Sequence, residues 1–219
     1  MTRRLVVVSA GLSVPSSTRL LGDQIADAVR AQVGARGEDV EVAVLELREL
    51  AVDLATTTTT GGLPTAAVAE AVNAVASADG VVAVTPVFAA SYSGLFKSFF
   101  DVLDPEALVG VPVVVAATAG TARHSLVLDH AMRPLFTYLR AVVVPTGVFA
   151  ATDDFGGAGG DDLGDRIARA AGELADLMVA ERQGVGGFAP NDSDRRRGSA
   201  LAAPQVVTPF EDLLRGHTG

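Results

Sequence analysis

The chain has 219 residues, 49% hydrophobic and 20% charged, enough for one domain that buries roughly 70% of its unfolded surface. A net charge of −9 and 5% aromatic content argue against nucleic acid as a partner, because phosphate backbones are repelled and stacking platforms are scarce. With no cysteine and three scattered histidines, disulfides, thiolate catalysis, iron–sulfur clusters and zinc sites are not expected, so no metal ligand is assigned.

The N-terminus runs charged and then apolar, as a signal peptide does. Its apolar stretch stops at Ser9, too soon for a signal core or a membrane span. A buried strand at Leu5–Val8 is predicted instead, with a cytoplasmic, membrane-free location. Leu21, Ile25 and Val29 recur at helical spacing. Val40–Leu45 reads as the second strand. Ala55–Pro64, with five consecutive threonines and two glycines, reads as a mobile surface loop. Val68, Val72 and Val75 mark a helix before a third strand at Val81–Val84. Phe96, Phe99, Phe100 and Leu103 share a helical face suited to the core or to a subunit interface. Val111–Ala117 and Ala141–Val144 complete the strands, flanking a helix marked by Leu128, Met132 and Leu135. A final helix spans Leu163–Ala180, with Ile167, Leu174 and Leu177 on one side.

Strands apolar on both faces, alternating with helices, predict an α/β fold. The expected architecture is a flavodoxin-like three-layer sandwich around a five-stranded parallel sheet in order 2-1-3-4-5. That order puts the binding crevice at the carboxyl ends of strands one, three and four. Residues 1–182 make this domain. Residues 183–219 form a polar C-terminal extension in which 206–214 is either a docking segment or a stretch without a role.

Three loops leave those strand ends. The first, Ser9–Arg19, precedes a helix whose unsatisfied N–H groups and dipole favour an anion. Ser9, Gly11, Ser16, Ser17 and Thr18 can supply small or hydroxylated contacts there, and Arg19 a cation. Ser16 or Ser17 can equally be a plain helix cap. Neither a Gly-Lys-Ser/Thr phosphate loop nor a Gly-x-Gly-x-x-Gly fingerprint is present. The second loop begins Thr85-Pro86-Val87-Phe88. Pro86 is expected to stiffen a turn just past the strand, Ser91 or Ser93 to cap the next helix, and Lys97 to lie in solvent or in a local ion pair. The third, Thr118-Ala119-Gly120-Thr121-Ala122-Arg123-His124, is small enough for a planar ring to approach, with Gly120 able to take a positive φ. Arg123 faces either a nucleotide phosphate or water. His124 and His130 read as structural, and Asp153-Asp154 as turn formers. No Ser-His-Asp set is found, so no catalytic side chain is assigned.

The stretch Ala78–Phe88, continuing through Ser91-Tyr92-Ser93-Gly94-Leu95-Phe96-Lys97 to Asp101, resembles the Thr-Pro-x-Tyr-x-x-Ser-x-x-Gly-x-x-Lys stretch of the NADPH-dependent FMN reductase family, with Phe88 at the usual tyrosine. Ala117–Thr121 with Leu128–Leu135 resembles the branch that supplies reduced FMN to two-component monooxygenases. The likeness covers about residues 3–182. It implies hydride transfer from NADPH or NADH to FMN, a homodimer or homotetramer, and a flavin-dependent monooxygenase as partner. The implied FMN contacts are the phosphate at Ser9, Ser16, Ser17 and Thr18, the ribityl chain and ring edge along Thr85–Phe88, and the ring flanked by Thr118, Gly120 and Thr121. His130 stands where the alkanesulfonate-type reductases carry a tyrosine in an interrupted helix at a subunit interface. Two rival readings remain: a quinone, azo-dye or chromate reductase with tightly held FMN, and a flavodoxin-type electron carrier. The Phe96–Leu103 helix is the candidate interface, and Arg19 and Arg123 are candidate partners for the NADPH 2′-phosphate.

Overall fold

Strand β1 (Thr2–Ser9) feeds two cores by simple alternation, a consequence of the two-residue period of a strand. Leu5 and Val7 point to one face of the sheet, Val6 and Val8 to the other, and all four are buried. The computed structural model describes residues 2–155 and 160–180. β1 pairs in parallel with β2 (Asp39–Glu46) and β3 (Gly80–Phe88), and β3 with β5 (Pro112–Ala119). The short strands β6 (Val142–Val143) and β7 (Val148–Ala151) both pair in parallel with β5. The hairpin strand β4 (Ser91–Tyr92) returns antiparallel on β3. The result is a flavodoxin-like sheet of seven strand segments in order 2-1-3-5-6.

Helices α1 (Ser17–Gly34) and α6 (Gly160–Val179) cover the face of Leu5 and Val7. Helices α2 (Ala51–Thr59), α3 (Ala66–Ala76), α4 (Gly94–Asp101) and α5 (Arg133–Tyr138) flank the opposite core. There Phe96, Phe100 and Phe136 form an aromatic knot, with ring centroids 4.7 Å apart for Phe96–Phe100 and 4.9 Å for Phe100–Phe136.

Several expectations are corrected. The threonine run is helix α2 rather than a mobile loop. Thr56, Thr58 and Thr59 each donate their hydroxyl to the carbonyl four residues back, at 2.9 Å, which keeps β-branched polar side chains compatible with a helix. Leu54 and Thr57 face inward. Gly61 at φ 73° turns the chain, and the Gly62 N–H closes on the Thr57 carbonyl at 2.9 Å, ending the helix as a Schellman motif.

Strand β2 is an edge strand, not buried on both faces: Val40, Val42 and Val44 pack inward while Glu41 and Ala43 are exposed. The fifth strand is split. Arg133 donates to the Val144 and Pro145 carbonyls, and Glu173 accepts from the Thr146 N–H and hydroxyl at 2.7 Å each, so the break at Pro145 is clasped on both sides. Leu177 lies half-exposed, and Met178 takes the inward position. Phe96, Phe99, Phe100 and Leu103 are at most 3% exposed within this single chain, so the core and not an interface uses them. Leu103 also falls beyond the end of α4. The extension 183–219, including segment 206–214, lies outside the described residues.

Candidate functional site

Three neighbouring strands end side by side. Ser9 is in register with Val84, and Thr85 and Pro86 with Ala117 and Thr118, so the loops after β1, β3 and β5 leave the same edge of the sheet. Side-chain parity then sorts their hydroxyls. Ser9 and Thr118 continue the face of Val7 and Ala116, where α1 lies; Thr85 continues the opposite face, where α4 lies.

On the α1 face the first loop closes into a cradle. Ser16 caps α1, its oxygen accepting from the Arg19 N–H at 3.2 Å, which leaves its hydroxyl hydrogen to donate. Gly11 permits this: a Cβ there would stand 2.1 Å from Ser16 Oγ. Thr18 and Thr118 share a buried hydrogen bond of 2.7 Å between their hydroxyls, joining the first loop to the third. Ser9 is 1% exposed, yet its Oγ has no hydrogen-bond partner. Native interiors rarely leave a buried hydroxyl unsatisfied. A small acceptor-rich group at the start of α1 would complement this constellation. Ser17 is exposed at the same helix start.

On the α4 face Thr85 has a structural task. Its oxygen accepts the Ser93 N–H at 3.0 Å and its hydroxyl donates to the Pro86 carbonyl at 2.9 Å. Ser93 caps α4 by accepting from Phe96 N–H at 3.2 Å. Pro86 does not follow the strand as expected; it sits inside β3, which runs on to Phe88. The Val84 carbonyl accepts from Ala10 on the β1 side, so the N–H that Pro86 lacks would point past the end of β1, where no ladder bond is lost. Val87 and Phe88 pair with Tyr92 and Ser91 across a turn whose central residues, Ala89 and Ala90, have φ of 47° and 65°. Such a turn favours Gly or Asn, so two alanines here store strain beside the site. Phe88 is 48% exposed at the tip.

In the third loop Ala119 is half-buried, while Gly120 and Thr121 are exposed. Gly120, able to take a positive φ, does not do so, and a Cβ on it would meet nothing within 4 Å. His124 and Arg123 are exposed, and among the described residues Arg123 has no carboxylate partner. His130 is exposed within a π-helical turn, Leu128–Met132, which runs into α5 where Pro134 withholds an N–H. Lys97 pairs with Asp101.

The family described as NADPH-dependent FMN reductase matches residues 3–156, a span holding all three loops. The chain belongs to the NADPH-dependent FMN reductase family. An FMN reductase (NADPH) of Pseudomonas aeruginosa is 39% identical over 152 residues, covering 69% of this chain and 78% of its own length. The NADH-dependent FMN reductase SfnE of Pseudomonas putida is 41% identical over 147 residues, covering 67% of this chain and 76% of its own. Among solved structures, an oxidoreductase from Corynebacterium diphtheriae is 60% identical with a TM-score of 0.80, covering 82% of this chain and 98% of that one.

The residues fit the cofactor that defines this FMN reductase family. The unpartnered Ser9 hydroxyl, the Gly11 space and the start of α1 match the acceptor oxygens of a phosphate monoester. Sequence reasoning missed two members of the neighbourhood, Glu46 and Arg48. Arg19, the one cation it named in the first loop, is engaged by Asp23 and by Glu46. The only local signal was the i, i+4 spacing of Arg19 and Asp23.

Proposed function

We infer that the chain works as an NAD(P)H-dependent FMN reductase whose phosphate cradle is the first loop, closed by Thr118. The observation that carries this reading is the Ser9 hydroxyl, buried at the head of α1 without a partner in the fold. Ser9, Ser16 and Ser17 donate to phosphate oxygens alongside the first N–H groups of α1. Thr18 contributes its backbone N–H while its side chain holds Thr118 in place. The third loop, small at Ala119 and open above Gly120, leaves room for a flat ring, and the hairpin from Pro86 to Phe88 borders it.

Bound FMN would supply the hydride chemistry, so the chain has to provide position and a polar surround rather than a nucleophile, acid or base. The relatives include both an NADPH-dependent and an NADH-dependent enzyme. Arg123, exposed in the third loop, is our candidate for selecting the 2′-phosphate of NADPH. Delivery of reduced FMN to a monooxygenase, assembly as a homodimer or homotetramer, and a cytoplasmic location belong to the same proposal. The half-exposed to exposed apolar side chains Leu126, Tyr138 and Val142 support assembly.

Steady-state oxidation of NADH and NADPH with FMN, FAD or a quinone as acceptor tests the reading. Turnover with FMN, abolished or strongly reduced by Ser9→Ala at limiting flavin, is expected. No flavin uptake in titration and no NAD(P)H oxidation would end it, and preference for quinone over free FMN would move the enzyme to the quinone reductases.

A further inference from the structure

Cations stand beside the cradle but are engaged by carboxylates. Glu46 is the register partner of Ser9 across β1 and β2, and neighbours in a parallel ladder put their side chains on the same face. Its carboxylate pairs with Arg19 Nη1 at 2.6 Å and with Arg48 Nη2 at 2.7 Å. Arg19 also gives its Nε to both oxygens of Asp23, at 2.8 and 3.0 Å. Arg48 lies 3.8 Å from Glu49, and its Nη1 makes a long 3.4 Å contact to the Ser13 carbonyl within the first loop. Two guanidiniums therefore meet three carboxylates, and the cluster carries no net positive charge. The hydrogen bond that Arg19 donates to Asp23, opposed by partial burial and aided by the charges of Asp23 and Glu46, raises Arg19 above its ordinary value, so the guanidinium stays charged.

A phosphate carries about −1.5 to −2 charges near neutrality. An arginine free to reach it would make charge-assisted, bidentate bonds roughly twice as strong as neutral ones. In the strand next to Ser9, with backbones about 4.8 Å apart, this fold instead places Glu46.

We propose that Glu46 and Asp23 set flavin affinity by holding Arg19 off the phosphate, so that the cradle grips FMN through neutral donors and lets it exchange. The proposal rests on the reading of the first loop as the phosphate site. It assigns Glu46 and Asp23 as positioning residues that act through Arg19, and it makes FMN an exchanging substrate more than a permanently held group.

The test titrates FMN and riboflavin into the wild-type full chain, Glu46→Gln and Asp23→Asn, following flavin fluorescence. Riboflavin lacks the phosphate and reports on the ring site and on folding alone. FMN should bind Glu46→Gln on the order of tenfold more tightly, equivalent to about 1.4 kcal/mol, and Asp23→Asn more tightly by a smaller factor. Riboflavin affinity should not move. The gain should shrink as salt rises from about 0.05 to 0.5 M, because added attraction between partly exposed charges is screened. FMN affinity that is unchanged or weaker in variants that still bind riboflavin overturns the proposal. Should Glu46→Gln lose riboflavin binding through misfolding, Asp23→Asn decides alone, since its side chain is 42% exposed. A wild-type chain that binds FMN no better than riboflavin overturns the phosphate-cradle reading itself, a result distinct from failure of the two carboxylate variants.

Discussion

Replacing Ser9 by alanine should move stability and binding in opposite directions. The hydroxyl is buried at 1% exposure and has no partner in the fold. A buried polar group left unmade costs about 1–3 kcal/mol. Alanine removes that cost and leaves the β1 ladder bonds untouched, so ligand-free Ser9→Ala should be more stable by about 1 kcal/mol. For a domain of this size that is a rise in Tm of about 2–4 °C. The same change deletes a donor to an ionised phosphate, worth about 1.5–3 kcal/mol, or roughly a 10- to 150-fold loss of FMN affinity.

These two effects predict a crossing. At FMN one hundred times the wild-type Kd, binding adds about 2.7 kcal/mol to wild-type stability. A variant weakened one hundredfold gains only about 0.4 kcal/mol at that concentration. The variant should therefore melt above wild type without flavin and below it with flavin. Thermal unfolding by circular dichroism, repeated with FMN and with riboflavin, reads this directly. A lower Tm for the ligand-free variant together with unchanged FMN affinity would show that the hydroxyl serves the fold and not a ligand.

Gly11→Ala should push Ser16 Oγ, 2.1 Å from the new Cβ, out of its capping position. The expected cost is about 1 kcal/mol of stability with a tenfold or greater loss of FMN affinity on the same scale, and calorimetric titration with an unaltered Kd would refute it. Thr57→Val removes a buried hydroxyl without a partner and keeps the side-chain shape, so urea unfolding should show a gain of about 1 kcal/mol; a loss would mean that the hydroxyl is bonded. Glu38 is held below its ordinary 4.5 chiefly by the Arg3 hydrogen bond, against the opposing effect of desolvation. A depressed folded-state value means that its stabilising contribution is present above 4.5 and disappears as pH falls through the folded value. Glu38→Gln should flatten that part of the acid limb in thermal melts, and an identical pH profile for variant and wild type would count against the pairing.

The central strands were legible because each is apolar on both faces, and the two-residue period alone assigns Leu5 and Val7 to one core and Val6 and Val8 to the other. The same period in β2, where Val40, Val42 and Val44 alternate with Glu41 and Ala43, carried the sign of an edge strand. Helix α2 was hidden because five threonines running into two glycines read as a polar loop, and hydroxyl bonds to carbonyls four residues back leave no trace in a sequence. Its traces were the inward spacing of Leu54 and Thr57 and the Gly61-Gly62 stop. The cradle was legible as a cluster of hydroxyls before a helix. Glu46 was not, since it lies far from that loop in the chain and only strand register puts it beside Ser9.

Parity also divides labour at the sheet edge. Thr85 and Thr118 look alike as hydroxylated residues ending apolar strands, yet they face opposite ways and do different work. Thr85, turned to the α4 side, fixes the Ser93 cap and so anchors the hairpin above Phe96, Phe100 and Phe136. That anchoring accompanies a turn at Ala89 and Ala90 that alanine disfavours. Thr118, turned to the α1 side, reaches Thr18 and closes the cradle. A hairpin anchor and a hydroxyl pair thus arise from adjacent strands of the same sheet. Beside the first loop Arg19 and Arg48 both pair with Glu46, so the hydroxyl cluster and the neighbouring charges stay separate parts of the structure.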